Sequence, residues 1–284
     1  MSVTIRAAGP SDMNGIATFL HRQMNDALSP GVWRRIMDYP WHDDKPDLGQ
    51  VAVDGERIVG FMGKIFADRD IGGRTERLCN MSSVYVDAAY RRQGIGTGLH
   101  EAVTADPDVT YYVFDPSPYV RSVTTHPKLG FRVLDDMRYV WQRLGAARAS
   151  VDVVTDPEAV ASRLTDGERR LVQDHLPYPL QPYLLQDRGA HCLVFLYRRT
   201  SKRGDAQHEA LYVGNPSLFA RCAQDFADWL LADPKAILMI DRRFLRGQPV
   251  AVEPQAIPVP RYFKSTRLEA ADIDHLYSEI PLLL

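Results

Sequence analysis

Arg91-Arg92-Gln93-Gly94-Ile95-Gly96 places two fixed positive charges and two glycines directly before a run with helical periodicity. In that run Ile95, Leu99, Ala102 and Val103 recur at i, i+4, i+7 and i+8, one apolar stripe of a helix. Upstream, an apolar strand ends at Val86 and a short turn runs from Asp87 to Tyr90. The chemistry this arrangement can do is anion binding. The N–H groups of a first helical turn lack partners within the helix, and the helix dipole adds a fractional positive charge there. Gly94 and Gly96 let an anion approach the backbone without a Cβ in the way, and Arg91 and Arg92 add charge that does not titrate. The loop is neither G-x-x-x-x-G-K-[ST] nor G-x-G-x-x-G, which removes the P-loop and makes a dinucleotide fingerprint a poor fit. A plain basic turn before a helix is the competing reading.

The order Arg-x-x-Gly-x-Gly after a V-x-V strand resembles the GNAT superfamily, the acyl-CoA-dependent N-acyltransferases. Leu129-Gly130-Phe131 before a long strand is a second shared feature. The resemblance implies that Arg91, Arg92, Gln93, Gly94, Ile95, Gly96 and Thr97 hold the pyrophosphate of coenzyme A. It implies that the backbone of Val84, Tyr85 and Val86 pairs with the pantetheine arm and offers an N–H to the thioester carbonyl, an oxyanion-hole role. The reaction implied is direct transfer: an amine attacks acetyl-CoA or another acyl-CoA, a base takes the ammonium proton, and an acid protonates the leaving thiolate.

The acid and the base are where this chain departs from the pattern. Many relatives carry a Tyr four residues before the Gly of the Gly-Phe pair; here that residue is His126, followed by Pro127. An imidazole with a pKa of about 6.5 can do the work, although the proline steers His126 away from helical geometry. Tyr119 is the second candidate, with Tyr111 and Tyr112 behind it. Some relatives place a basic Glu eleven residues before the loop; here the residue is Asn80, which cannot take a proton. With Ser82 and Ser83 it either orders a water and the acceptor or is a half-exposed strand residue.

The elements that must position these groups read in order from the N-terminus. Val3 to Arg6 is a strand, and Met13, Ile16, Ala17, Leu20 and Met24 form a helical face. A short helix from Gly31 to Asp38 sits in an aromatic region, Trp33, Tyr39 and Trp41, which either fills core or walls an acceptor pocket. Strands at 50–53, 57–67 and 76–86 form a meander joined at Asp54-Gly55 and Gly72-Gly73. After the loop helix come a strand at 110–115, a short helix at 119–125 and a strand at 132–142. This β-α-α-β-β-β-α-β-α-β order matches the GNAT order. The expectation is an α/β (α+β) fold with a mixed, mostly antiparallel central sheet flanked by helices, and an acyltransferase domain over residues 1–145.

Residues 146–284 read as helices starting at Asp156-Pro157 and Thr165-Asp166, an irregular stretch with Pro177, Pro179 and Pro182, and strands at 191–199, 209–213 and 235–241. A helix begins at Asn215-Pro216, and a last one carries Ile273, Leu276, Tyr277 and Ile280. Hairpin, helix, strand repeats the first half, so a second GNAT-like domain is expected. Its counterpart of the loop, Val213 to Phe219, has no Arg and a Pro in the first turn, so it should not take up coenzyme A. Shaping the acceptor pocket and forming a homodimer are its expected roles.

Composition narrows the rest. The 284 residues are 45% hydrophobic and 25% charged, with net charge -2, which gives no case for nucleic acid or an anionic membrane. Three scattered cysteines fit a reducing cytoplasm. No signal peptide is visible, and no apolar run nears the roughly 20 residues of a bilayer span. The histidines show no metal-ligand spacing. The acceptor, a small-molecule amine or a protein amine, is not readable. Acyl-CoA binding without turnover is the alternative function.

Overall fold

The computed structural model describes residues 3–42, 44–114, 116–124, 127–145 and 151–284. The chain divides into two compact units. The first holds Met1–Leu134, Arg261–Glu269 and Tyr277–Leu284; the second holds Asp135–Pro260 and Ala270–Leu276.

The first half contains β1 (Val3–Ala7), α1 (Met13–Gln23), α2 (Pro30–Arg34), β2 (Gly49–Asp54), β3 (Arg57–Ile71), β4 (Arg74–Val86), α3 (Ile95–Val103), β5 (Thr110–Val113), α4 (Pro118–Thr124) and β6 (Arg132–Gln142). The second half contains β7 (Asp152–Val154), α5 (Pro157–Ala161), α6 (Asp166–His175), β8 (Gln181–Asp187), β9 (Ala190–Thr200), β10 (Ala206–Val213), α7 (Pro216–Leu230), β11 (Ile237–Asp241), β12 (Gln255–Lys264) and α8 (Glu279–Leu282).

In the first unit the strand order is β1-β2-β3-β4-β5-β12. Every pairing is antiparallel except β4 with β5. In the second unit the order is β6-β11-β10-β9-β8-β7, again antiparallel except for β10 with β11. The sheets are mixed and mostly antiparallel, as the sequence predicts. Each unit packs helices on an apolar sheet face: Leu99 and Val103 of α3 join Val59 and Met81 in one core, and Phe219 and Phe226 of α7 join Leu238 and Ile240 in the other. No helix is long and apolar enough to cross a membrane among the described residues.

Four features differ from the sequence reading. The linear cut at 145 does not follow the units, because β6 pairs with β11 along Arg138–Gln142 and β12 takes the place beside β5. Pairing partners are set by long-range burial, which local pattern does not carry. The proline-rich stretch holds β8; β7 reaches only Leu184–Gln186, so Pro182 sits where the strand is locally an edge and no donor is missed. β12 and β7 were not expected at all. The expected last helix is only α8: residues 273–278, with Ile273, Leu276 and Tyr277, are not helical, and the helix starts after Ser278, which is extended (φ -140°, ψ -178°) and accepts the Ile280 N–H as its cap.

Candidate functional site

β4 carries the site because its geometry changes along its length. It pairs with β5 only through Leu78↔Thr110, Cys79↔Tyr111 and Asn80↔Tyr112. Toward the loop its register with β3 slips between Phe61↔Tyr85 and Gly63↔Ser82, leaving one extra residue in β4. Ser83 absorbs that bulge at φ +54°, a left-handed conformation a serine seldom adopts, and its hydroxyl lies 2.8 Å from that of Ser82. A bulge re-aims the backbone beyond it, here Val84 to Val86.

The loop after β4 is tied down from three sides. Asp87 accepts hydrogen bonds from Ala89 N–H (3.0 Å) and from Arg57 Nη2 (2.7 Å). Tyr90 Oη donates to Asp54 Oδ2 (2.8 Å), a bond that holds its phenol above the usual range. Arg91 donates from Nε to Val86 O (3.0 Å) and from Nη2 to the Tyr85 hydroxyl (2.9 Å), with its guanidinium stacked 5.2 Å from the Tyr85 ring. Arg91 therefore clamps the loop to the end of β4 as well as supplying charge. Gly94 then caps α3 at φ +79°, the left-handed region glycine reaches without cost. A Cβ built there meets nothing within 4 Å, so the approach to the helix end is open. Among the described residues no side chain caps the first turn of α3, which leaves its N–H groups to an outside partner.

These elements enclose a cavity of ≈ 810 Å³. Val84, Tyr85 and Val86 line one side, and Arg91, Arg92, Gly94, Ile95, Gly96 and Thr97 line the other. Gln93 instead faces a smaller pocket of ≈ 330 Å³ beside Val3 and Ile5. The larger cavity also takes Met24 from the end of α1 and Ser117 and Pro118 from the start of α4. Sequence reasoning placed Met24 on the buried helical face; its 43% exposure while lining the cavity was not readable from periodicity. Ser117 and Pro118 fall between the strand at 110–115 and the helix at 119–125 expected from the sequence. A free end of a dipole, a basic loop and a stretch of strand backbone form a cleft suited to a ligand with an anionic head and an extended arm.

His126 lies outside the described residues, and of Tyr119 only the backbone in α4 is described. Asn80 is fully buried; its Nδ2 donates to Tyr112 O (3.3 Å) and its Oδ1 accepts from Glu279 N–H (3.0 Å). It braces β5 and the segment that ends the chain, and it does not line the cavity. Tyr112 donates its hydroxyl to Tyr277 O (2.7 Å), and burial raises the Tyr111 phenol. The aromatic region is core: Trp41 donates to Phe66 O (3.0 Å), Tyr39 accepts from Phe66 N–H (2.8 Å), and Trp33 donates to Asn25 O (3.2 Å). His100 on α3 reaches Thr124 of α4 (Nε2 to Oγ1, 3.2 Å), linking the loop helix to the helix that brings Ser117 and Pro118; burial pushes this imidazole down to about 4.

The second unit repeats the strand pattern without the loop. Asn215 Oδ1 already accepts the Leu218 N–H (3.1 Å), and Pro216 has no N–H to offer at the first position of α7. At the last position of β10 paired with β11, as Asn80 is the last of β4 paired with β5, stands Glu209, ion-paired with Arg138 (3.5 Å) and Arg199 (3.6 Å).

Residues 17–106 match the family model of the Acetyltransferase (GNAT) family. A GCN5-related N-acetyltransferase from Anabaena variabilis is 10% identical, with TM-score 0.59, over 92% of this chain and 72% of that one. A probable N-acyltransferase from Enterococcus faecalis is 12% identical, with TM-score 0.61, over 95% and 74%. Eis1 from Mycobacterium abscessus is 15% identical, with TM-score 0.54, over 94% and 75%. At these identities the likeness is one of fold. No curated protein matches the sequence.

Proposed function

With a GNAT acetyltransferase domain over residues 17–106 as premise, we propose that the chain is an N-acyltransferase that moves an acyl group, most simply acetyl, from acyl-CoA to an amine by direct transfer. The observation that carries this reading is the cavity that joins the uncapped end of α3 to the re-aimed backbone of β4. The residues fit coenzyme A: the open approach at Gly94 suits a pyrophosphate, and the Val84–Val86 backbone suits an amide-bearing arm. Bound there, acyl-CoA supplies the activated thioester carbonyl. The chain's part is to hold and orient it and to offer backbone N–H groups where negative charge develops on that carbonyl. His126 is the proposed acid, with Tyr119 second. The acceptor is a small-molecule or protein amine, and the second unit is a GNAT-like repeat that takes up no acyl-CoA and serves a homodimer.

The second reading, acyl-CoA binding without turnover, is favoured by Asn80, whose amide is used as a brace. Isothermal titration with acetyl-CoA and free CoA tests the core of both. One site per chain is expected. No binding of either ligand overturns both readings, and binding without acetyl transfer to any amine of a broad panel selects the second. His126→Ala is expected to lower turnover while leaving CoA affinity within a few-fold; an unchanged rate removes His126.

A further inference from the structure

The segment Tyr277–Leu284 belongs to the first unit although it follows the whole second half in sequence. It is laced to β4 and β5 where their pairing begins to give out. Asn80 Oδ1, on the last residue of β4 that pairs with β5, accepts the Glu279 N–H (3.0 Å), and the hydroxyl of its partner Tyr112 donates to Tyr277 O (2.7 Å). The far end of the lacing is anchored as well. The Tyr277 ring sits edge-on to Trp41 at 5.4 Å and under the Arg69 guanidinium at 4.8 Å, and Ser278 and Leu282 are fully buried.

The direction of the cleft gives this lacing a consequence. Its anionic end is the loop after β4, and its wall then runs back along β4 through Val86, Tyr85 and Val84. A thioester arm laid on that wall points its acyl group toward Ser82 and Asn80. From Val84 to Asn80 the strand covers only about 13 Å at ordinary rise, and Ser82 and Asn80 are already buried. Asn80 is the residue to which the laced segment is bonded, through the Glu279 N–H.

We propose that Tyr277–Leu284 is the stop of the acyl subsite, and that Asn80 and Tyr112 are positioning residues that hold it there and restrict the donor to short acyl groups. This rests on the reading that the cleft binds acyl-CoA.

The test compares acetyl-CoA, octanoyl-CoA and free CoA by isothermal titration on the full chain, first unchanged, then as Tyr112→Phe and as Asn80→Ser with Tyr112→Phe. The unchanged chain should bind acetyl-CoA tighter than octanoyl-CoA by about tenfold or more, against the apolar gain that a longer chain ordinarily brings. Both variants should narrow that gap while free CoA affinity, which reads the loop, stays the same. Octanoyl-CoA bound as tightly as acetyl-CoA by the unchanged chain overturns the stop and spares the loop reading. A folded Tyr112→Phe and double variant with an unchanged ranking overturns the role of the lacing residues. Binding of none of the three overturns the acyl-CoA reading and this proposal with it. Should the double variant not fold, Tyr112→Phe and the unchanged chain still decide.

Discussion

Gly94 and Ser83 are two residues in the same backbone region for different reasons. Gly94 at φ +79° leaves the helix end open, and a carboxylate placed there would face the proposed pyrophosphate site. Gly94→Asp should abolish acetyl-CoA binding, whereas Gly94→Asn, equally tolerant of the left-handed region and uncharged, should weaken it far less. Equal losses in titration would mean that shape, not charge, governs the loop. Ser83 at φ +54° bears conformational strain in the bulge of β4. Ser83→Val puts a β-branched residue in that conformation and should destabilise the fold by about 1–3 kcal/mol. Urea denaturation checks this; an unchanged midpoint would show that the bulge does not need the left-handed residue.

The pair α3 and α4 works as an element because His100 and Thr124 join them. The buried His100 is held down to about 4, so it stays neutral in the native state where an unfolded chain would already be charged. Below the unfolded value of about 6.5 the unfolded chain binds a proton that the native state refuses, and stability falls as pH drops, by up to about 1.4 kcal/mol per pH unit. The stabilisation is present above that value and is lost progressively on the way down to about 4. His100→Gln keeps a side chain that can hydrogen-bond Thr124 in either direction and does not titrate. Its Tm should depend on pH less steeply than that of the unchanged chain between those limits, and parallel curves would remove His100 as the cause. Helix α7 shows a contrasting start: Asn215 caps its first turn and Pro216 brings no N–H there.

At the scale of the molecule, each unit takes one strand from the other half of the sequence. β6 belongs with β11, and β12 stands beside β5 through Tyr262↔Val113 to Lys264↔Tyr111. A fragment of residues 1–145 therefore lacks β12 and the segment Tyr277–Leu284, exposes the edge of β5, and carries a β6 without its partner. It should show no cooperative thermal transition and should aggregate, while the full chain melts cooperatively. A well-folded, acetyl-CoA-binding fragment 1–145 would mean that neither strand exchange nor the last segment is needed for the first unit.

Local rules act on neighbours in sequence, and the features they govern were legible there. The amphipathic stripe of α3, the meander of β2 to β4, the glycine at a helix start and the charges at Arg91 and Arg92 depend on residues a few positions apart. They carried the fold class and the local shape of the loop before α3. What depended on distant partners was not legible. Asn80 looked like a group for chemistry because nothing local shows that Glu279, far along the chain, hydrogen-bonds to it. Pro182 looked like a strand breaker because only the short reach of β7 makes its position a local edge. β6 and β12 change places between units because sheet pairing is decided by which buried faces meet, and a strand's own alternation states that it must pair without stating with what.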